Sequence, residues 1–211
     1  MKGNSSKKKL IVAATLVGVV LLAAVISVVA VLAAATQTVS SNITVTYSVT
    51  DVSATVSAKY KQGSSGTATD FTVGGSAKTI KFEAAEATTP KSFDAIEVPG
   101  LTSTEPYVTF EYKFQNDSEK SFNVYLTGIP TGTKNMSVKI LTQATAAADL
   151  GTLDFSTATA ATADPDVAVT AVAGAINAVS YVYIRVSVVN LNESATLGTG
   201  GFQWLLDSNR G

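Results

Sequence analysis

The stretch Ile43-Thr44-Val45-Thr46-Tyr47-Ser48-Val49 alternates strictly between apolar and polar side chains. Residues 52–60 repeat the pattern, with Val52, Ala54, Val56, Ala58 and Tyr60 separated by polar residues. A period of two places every second side chain on the same face of an extended strand. Both segments are therefore predicted to be half-buried strands whose apolar faces pack against a partner sheet.

Short segments of the same kind recur along the rest of the chain. Turn-forming residues separate them, among them Gly63-Ser64-Ser65-Gly66, Gly74-Gly75 and Pro99-Gly100. Many short strands with this punctuation, and no alternation of strands with helices, predict an all-β antiparallel β-sandwich. The expected strands span residues 67–73, 79–84, 107–115, 121–127, 136–142, 167–172, 181–191 and 202–206.

Residues 107–127 form the clearest local unit. Phe110, Tyr112 and Phe114 share one face of the first strand, and the polar residues 116–120 precede a second alternating strand that begins at Phe122. This pattern predicts a hairpin with an aromatic inner face. Residues 143–166, rich in Ala, Thr and Asp, fit a long loop, a short helix or an extra strand pair around Leu153 and Phe155.

The chain begins with a basic segment, residues 1–9, followed by the apolar residues 10–35. At 1.5 Å per residue a helix over residues 10–35 is about 39 Å long, enough to cross a hydrocarbon core of roughly 30 Å. Lys7-Lys8-Lys9 predicts that residues 1–9 stay cytoplasmic and that residues 36–211 form one extracellular domain. Ala33-Ala34-Ala35 is typical of a signal-peptidase site, so both a cleaved signal and a retained anchor are open.

Composition excludes several kinds of chemistry. The chain has no His and no Cys, which removes disulfides, His and thiolate metal sites, and His- or Cys-based catalysis. Residues 36–211 carry a net charge of −5, which does not favour nucleic-acid binding. We expect no enzyme, no catalytic or cofactor-binding residue and no small-molecule substrate.

Carboxylates are the remaining candidates for a site. Glycoside hydrolysis and calcium binding both use them. No spacing selects a pair, and we expect solvated carboxylates in strands and turns at Glu83, Glu86, Asp94, Glu97, Glu105 and Glu111. Asp164-Pro165-Asp166, with Asp149 and Asp154 upstream, offers oxygen ligands for Ca²⁺, but no EF-hand spacing is present, so this possibility is left open.

Two further features have both a functional and a structural interpretation. Asn-x-Ser/Thr triplets at Asn42, Asn116, Asn135 and Asn192 are potential glycan acceptors, and we interpret them as turn and surface polarity. Trp204 could stack on a sugar, but its place beside Phe202 and Leu206 in an alternating strand predicts a core position.

The segment from Thr109 to Ser118, Thr-Phe-Glu-Tyr-Lys-Phe-Gln-Asn-Asp-Ser, followed by Phe122-Asn123-Val124-Tyr125-Leu126, resembles the hairpin of strand, Asn-x-Ser turn and strand in the camelysin and TasA-like surface and biofilm-matrix proteins of Gram-positive bacteria. Val186-Ser187-Val188-Val189-Asn190 and Gly201-Phe202-Gln203-Trp204 are similar to their closing strands. The resemblance implies a jelly-roll-like sandwich whose freed N-terminal strand completes the sheet of a neighbouring subunit and so builds fibres. The protease association of that family is not carried over, because no ligand set for it is present.

These observations predict an exported structural protein at the cell surface or in an extracellular matrix, a homopolymer that contacts the membrane at least transiently through residues 10–35. Donation of the exposed alternating segment 42–49 across a sheet edge would supply the affinity between subunits. Two alternatives remain: an anchored or pilin-like subunit, including a viral coat component, that keeps its N-terminal helix, and a carbohydrate-binding module.

Overall fold

The computed structural model describes residues 42–84, 89–97 and 101–209. Strands account for all of the regular secondary structure in these ranges. In chain order they are β1 (Asn42–Ile43), β2 (Val45–Thr50), β3 (Ala54–Gln62), β4 (Thr69–Asp70), β5 (Ile80–Phe82), β6 (Lys91–Ser92), β7 (Ile96–Glu97), β8 (Tyr107–Asn116), β9 (Phe122–Gly128), β10 (Met136–Gln143), β11 (Thr159–Ala160), β12 (Ala168–Val172), β13 (Val179–Val188) and β14 (Phe202–Asp207).

The long strands belong to two sheets. A seven-stranded sheet has the order β11-β10-β13-β8-β3-β4, with β5 also paired to β3. A five-stranded sheet has the order β12-β9-β14-β2-β6, and β1 pairs with β7 separately. The predicted antiparallel arrangement holds for the described strand pairs except β14 and β2, which run parallel over six residues.

The inner faces of the two sheets form one hydrophobic core. Its aromatic centre joins the seven-stranded sheet, through Phe110, Tyr112 and Phe114, to Phe202 and Trp204 of the other sheet. The ring centroids of Tyr112 and Trp204 are 4.8 Å apart, and those of Phe110 and Phe202 are 5.5 Å apart. The all-β fold predicted from alternating side chains is therefore confirmed, with two sheets that share one core.

The predicted hairpin over residues 107–127 is wrong. β8 pairs with β3 and β13, whereas β9 pairs with β12 and β14, so the two strands lie in opposite sheets. Alternation identifies the apolar face of each strand, but two strands facing one core from opposite sides show the same alternation as a hairpin. The polar residues between them form an arch, and Asn116, interpreted as surface polarity, is fully buried at its start.

Three such arches lie at one end of the sandwich. They connect β2 to β3, β8 to β9, and β12 to β13. The Asp117 N–H donates to the Ser53 carbonyl at 3.0 Å, and the Asn177 N–H donates to the Asn116 carbonyl at 2.8 Å. These bonds tie neighbouring arches together, so the crossovers between sheets support one another.

Two further predictions concern residues 143–166 and the N-terminal apolar segment. Within residues 143–166 the described chain is mostly loop, and its only regular strand is the two-residue β11, not a strand pair around Leu153 and Phe155. The expected apolar helix over residues 10–35, with its basic flank 1–9, lies outside the described residues. Among the described residues no helix is long and apolar enough to cross a membrane.

Candidate functional site

Within the segment expected to be donated, residues 42–49, β1 pairs with β7 and β2 lies in the chain's own five-stranded sheet. β2 pairs in parallel with β14 from Val45 opposite Phe202 to Thr50 opposite Asp207. Its other side pairs with β6 at only two positions, Thr46 with Ser92 and Tyr47 with Lys91. One side of β2 is therefore held along its whole length, and the other side is held over residues 45–47, where the Phe93 N–H also donates to the Val45 carbonyl.

The apolar face of β2 is an integral part of the core. Val45, Tyr47 and Val49 are at most 1% exposed. The Tyr47 ring makes edge contacts with Phe93 and Phe114, at centroid distances of 5.8 and 6.1 Å. Burial raises the pKa of the Tyr47 hydroxyl. Removing β2 would leave an apolar slot beside β14, one strand wide.

A glycine allows the chain to enter this pairing closely. Gly201 precedes β14 with φ of +67°, and a Cβ atom there would lie 2.0 Å from the Thr44 carbonyl oxygen. The next residue, Phe202, donates its N–H to that carbonyl at 3.0 Å. A side chain at position 201 would therefore separate the starts of β2 and β14, because no L-residue fits this approach.

The connection from β2 to β3 is short and contains a left-handed residue. It is the three-residue link Asp51–Val52–Ser53, in which Asp51 has φ of +56°. Left-handed backbone is uncommon for a residue other than glycine. Asp51 is exposed and is held by an ion pair with Lys120. Strand alternation did not reveal this conformation.

A second candidate surface is a groove between the edges of the two sheets. It encloses about 350 Å³ and is lined by residues of β10, β11 and β12 together with Asp164 and Val167. β12 is the edge strand of its sheet and β11 covers only Lys139 and Ile140 of β10. The groove therefore borders the edge strand β12 and the part of β10 that β11 leaves uncovered.

The outer face of the seven-stranded sheet carries a covering loop, residues 144–158. Arg185 of β13 lies between the rings of Tyr107 and Phe155, with its guanidinium carbon 4.4 and 4.1 Å from their centroids. Its Nη2 also donates to the carbonyls of Leu150 and Leu153, at 3.3 and 2.9 Å. Arginine suits this role because its planar group stacks and donates at once. The only indication of this contact in the sequence was a basic residue within a mostly apolar strand.

Beneath the covering loop, Glu111 is 6% exposed, although it was expected to be solvated. Its Oε1 lies 3.0 Å from Lys59 Nζ, and its Oε2 has no hydrogen-bond partner among the described residues. Tyr183, buried next to it, has its pKa raised chiefly by burial. Glu111 is thus a buried, ion-paired carboxylate.

We expect acid to loosen the covering loop before the sheets. The side-chain hydrogen bond from Lys61 and the Gly151 N–H lower the pKa of Asp149 below its usual 3.8. Hydrogen bonds from the N–H and the hydroxyl of Ser156 likewise lower the pKa of Asp154. Because both folded-state values are depressed, their stabilisation is complete above about pH 3.8 and is lost as the pH falls through them.

Hydrogen exchange, corrected for intrinsic rates, measures this directly. Amides of residues 144–158 should lose protection below about pH 3.8 while those of β3, β8 and β13 keep theirs. The double variant Asp149→Asn/Asp154→Asn is the control, and its loop should already exchange faster at neutral pH without a further acid step. Unchanged loop protection down to pH 2 would contradict the assignment.

The other candidate carboxylates are dispersed. Glu83 and Glu97 are exposed, and Glu105 accepts hydrogen bonds from Ser65. Asp94 accepts from the N–H groups of Gly74 and Gly75 at 3.1 and 2.8 Å, and these bonds with that of Thr72 lower its pKa. Each is a turn or surface carboxylate, as expected. Glu86 lies outside the described residues.

The aspartates considered for calcium are not assembled. Asp149 binds Lys61 at 2.7 Å, and Asp154 caps the turn at Ser156. Asp164 accepts the Asp166 N–H at 2.9 Å, in a local turn. Within the described ranges no group of three or more acidic side chains is placed to hold a metal ion.

Trp204 lies in the core, as its neighbours in the strand predicted. It is 1% exposed, and its ring lies 4.8 Å from that of Tyr112 and 5.3 Å from that of Phe114. A ring without an exposed face does not stack on a sugar, so Trp204 does not support a carbohydrate-binding module.

No known protein family model matches this chain, and no curated protein matches it either. The resemblance to the camelysin and TasA-like proteins therefore rests on the sequence segments alone.

Proposed function

We propose that this protein is an exported structural subunit that polymerises outside the cell by exchanging its N-terminal strand segment, residues 42–50, between neighbouring copies. The supporting observation is the attachment of β2: full-length parallel pairing to the last strand, two-residue pairing to β6, and a short left-handed link to β3. In this proposal, residues 10–35 carry the chain across the membrane, and the assembled domain lies at the cell surface or in the matrix.

Exchange conserves the contacts that hold β2. A β2 segment from a neighbouring copy would make the same hydrogen bonds to β14 and bury the same Val45, Tyr47 and Val49 side chains. The net cost of exchange is therefore confined to the link at residues 51–53 and to the loss of translational freedom. Since the donating strand and the accepting slot are different surfaces, repeated exchange is heterologous, and it builds an open filament when the rotation between subunits does not close a ring.

The connections between strands are consistent with a jelly-roll-like winding. From β8 onward the long strands alternate between the two sheets, and β2 and β3 also lie in opposite sheets. Such winding places the first and last long strands of the chain side by side, as β2 and β14 are here. The exchanged segment therefore holds the first long strand of the chain, and in the proposed exchange it leaves without unthreading the rest of the sandwich.

Cysteine crosslinking distinguishes exchange from a strand that stays in its own sheet. The chain has no Cys, so Thr46→Cys/Gln203→Cys introduces a single pair at positions that face each other across β2 and β14. Neighbouring strands lie about 4.8 Å apart, within the range of a disulfide. If assembled fibres are oxidised, exchange predicts a ladder of covalent multimers on a non-reducing gel, because each disulfide joins two copies.

Two controls complete the experiment. Thr46→Cys alone should give no ladder beyond a dimer, and oxidation of the double variant before assembly should lock β2 in place and prevent fibres. Fibres whose oxidised chains all migrate as monomers would refute strand exchange. A protein from its natural source that never polymerises would refute the structural role itself.

A further inference from the structure

The Asn-x-Ser/Thr triplets differ in what their carboxamides do. At Asn116 the side chain is buried, and Nδ2 donates to the carbonyls of Lys120 and Ala173 at 3.0 and 2.7 Å. At Asn135, Nδ2 donates to the carbonyls of Asn190 and Glu193 at 2.7 and 3.0 Å. Both side-chain amide nitrogens therefore donate hydrogen bonds within the fold. The triplet at Asn42 lies where side chains are not described.

Asn192 is placed differently. Its side chain is exposed, and its carboxamide forms no hydrogen bond with any residue of the described ranges. Ser194, the hydroxyl residue of the same triplet, is also exposed. The triplet follows the end of β13 and lies in the connection to β14. Both groups that a glycosyl-transferring enzyme recognises are therefore free and on the surface.

Neighbouring asparagines hold this turn in place. Asn190 Oδ1 accepts the Asn192 N–H at 3.0 Å, while its Nδ2 donates to Glu193 Oε1 at 2.8 Å. Asn135 Oδ1 accepts the Asn190 N–H at 2.8 Å. Asn135 and Asn190 thus fix the turn by their own side chains, and Asn192 is the asparagine left pointing outward.

We propose that Asn192 is an N-glycosylation site, modified by a glycosyltransferase that draws on a lipid-linked oligosaccharide phosphate outside the cytoplasm. The bond between Asn192 Nδ2 and the sugar C1 forms as the C1–O bond to phosphate breaks. The lipid phosphate leaves, and an enzyme base takes the amide proton. A bulky polar glycan is accommodated there because the side chain faces solvent.

The inference requires export of the domain but not strand exchange. A fibre without a glycan overturns the glycosylation site and leaves the proposed polymer intact, whereas a glycosylated protein that never polymerises does the reverse. The two ideas are therefore tested separately.

Trypsin separates the described triplets. Cleavage after Arg185 and Arg210 gives a peptide, residues 186–210, whose one triplet is at Asn192, while Asn116 and Asn135 fall in residues 114–120 and 135–139. In the exported protein from its natural source, mass spectrometry should find a glycan on the 186–210 peptide and none on the other two.

The hydroxyl residue supplies matched variants. Ser194→Ala keeps Asn192 but should abolish the modification, whereas Ser194→Thr should retain it, because the triplet accepts either hydroxyl. An unmodified 186–210 peptide in the exported wild-type protein, or glycans on Asn116 or Asn135 in its folded form, would overturn the proposal.

Discussion

Replacing Trp204 with Ala is expected to lower the free energy of unfolding by about 3–5 kcal/mol, among the largest effects of a single substitution in this sandwich. The side chain is 1% exposed and contacts Tyr112 and Phe114 of the opposite sheet. Its removal leaves a cavity between two sheets, and strands fixed by backbone hydrogen bonds cannot move together to fill it. Denaturant unfolding followed by the far-ultraviolet signal measures the loss.

Trp204→Phe is the matched control for this prediction. The indole Nε1 has no hydrogen-bond partner among the described residues, so Phe removes volume without breaking a bond. We expect its cost to be well under half that of Ala. If Trp204→Ala unfolded at the wild-type denaturant concentration and instead lost binding to a glycan, the ring would be a binding surface and the core assignment would be wrong.

The inner face of the sandwich was predictable because it depends on local pattern. Ile43, Val45, Tyr47 and Val49 were assigned to one face by alternation alone, and all are at most 1% exposed. The period of two fixes which side chains share a face whatever the strand pairs with. It does not specify the partner, which is why β8 and β9 were taken for a hairpin.

The outer face could not be predicted in the same way. Alternation assigns Thr109 and Glu111 to the solvent side of β8, yet they are 0% and 6% exposed. Their burial depends on residues 144–158, more than 30 positions away, being held by Arg185. A long-range contact of this kind leaves no local periodicity, so the covering loop becomes visible only in three dimensions.

The conformation of the link between β2 and β3 also depends on tertiary structure. Residues 51–53 lie between two well-patterned strands, and nothing in their composition indicates whether they connect strands within a sheet or across the sandwich. The φ of +56° at Asp51 follows from the crossover that the tertiary structure imposes. In our proposal, strand exchange therefore depends on how the strands are connected and not on a sequence motif.

Asn116→Ala should destabilise the protein by about 3 kcal/mol, although it removes only a small polar side chain. Its bond to the Lys120 carbonyl closes the β8–β9 arch, and its bond to the Ala173 carbonyl connects that arch with the β12–β13 arch. Its Oδ1 also accepts the N–H and the hydroxyl of Ser118, each at 2.9 Å. Each such bond contributes about 1 kcal/mol, and buried partners left unpaired add to the loss.

Asn192→Ala is the matched control, because it makes the same substitution in the same kind of triplet on an exposed turn. Its effect on the free energy of unfolding should stay within about 0.5 kcal/mol. Asn116→Asp tests the cause, since it preserves shape but replaces both donors with a buried negative charge, and it should cost at least as much as Ala at neutral pH. Equal stabilities for the Asn116→Ala and Asn192→Ala proteins would show that the arches hold together without the buried amide, and that solvent at the sandwich end replaces its bonds.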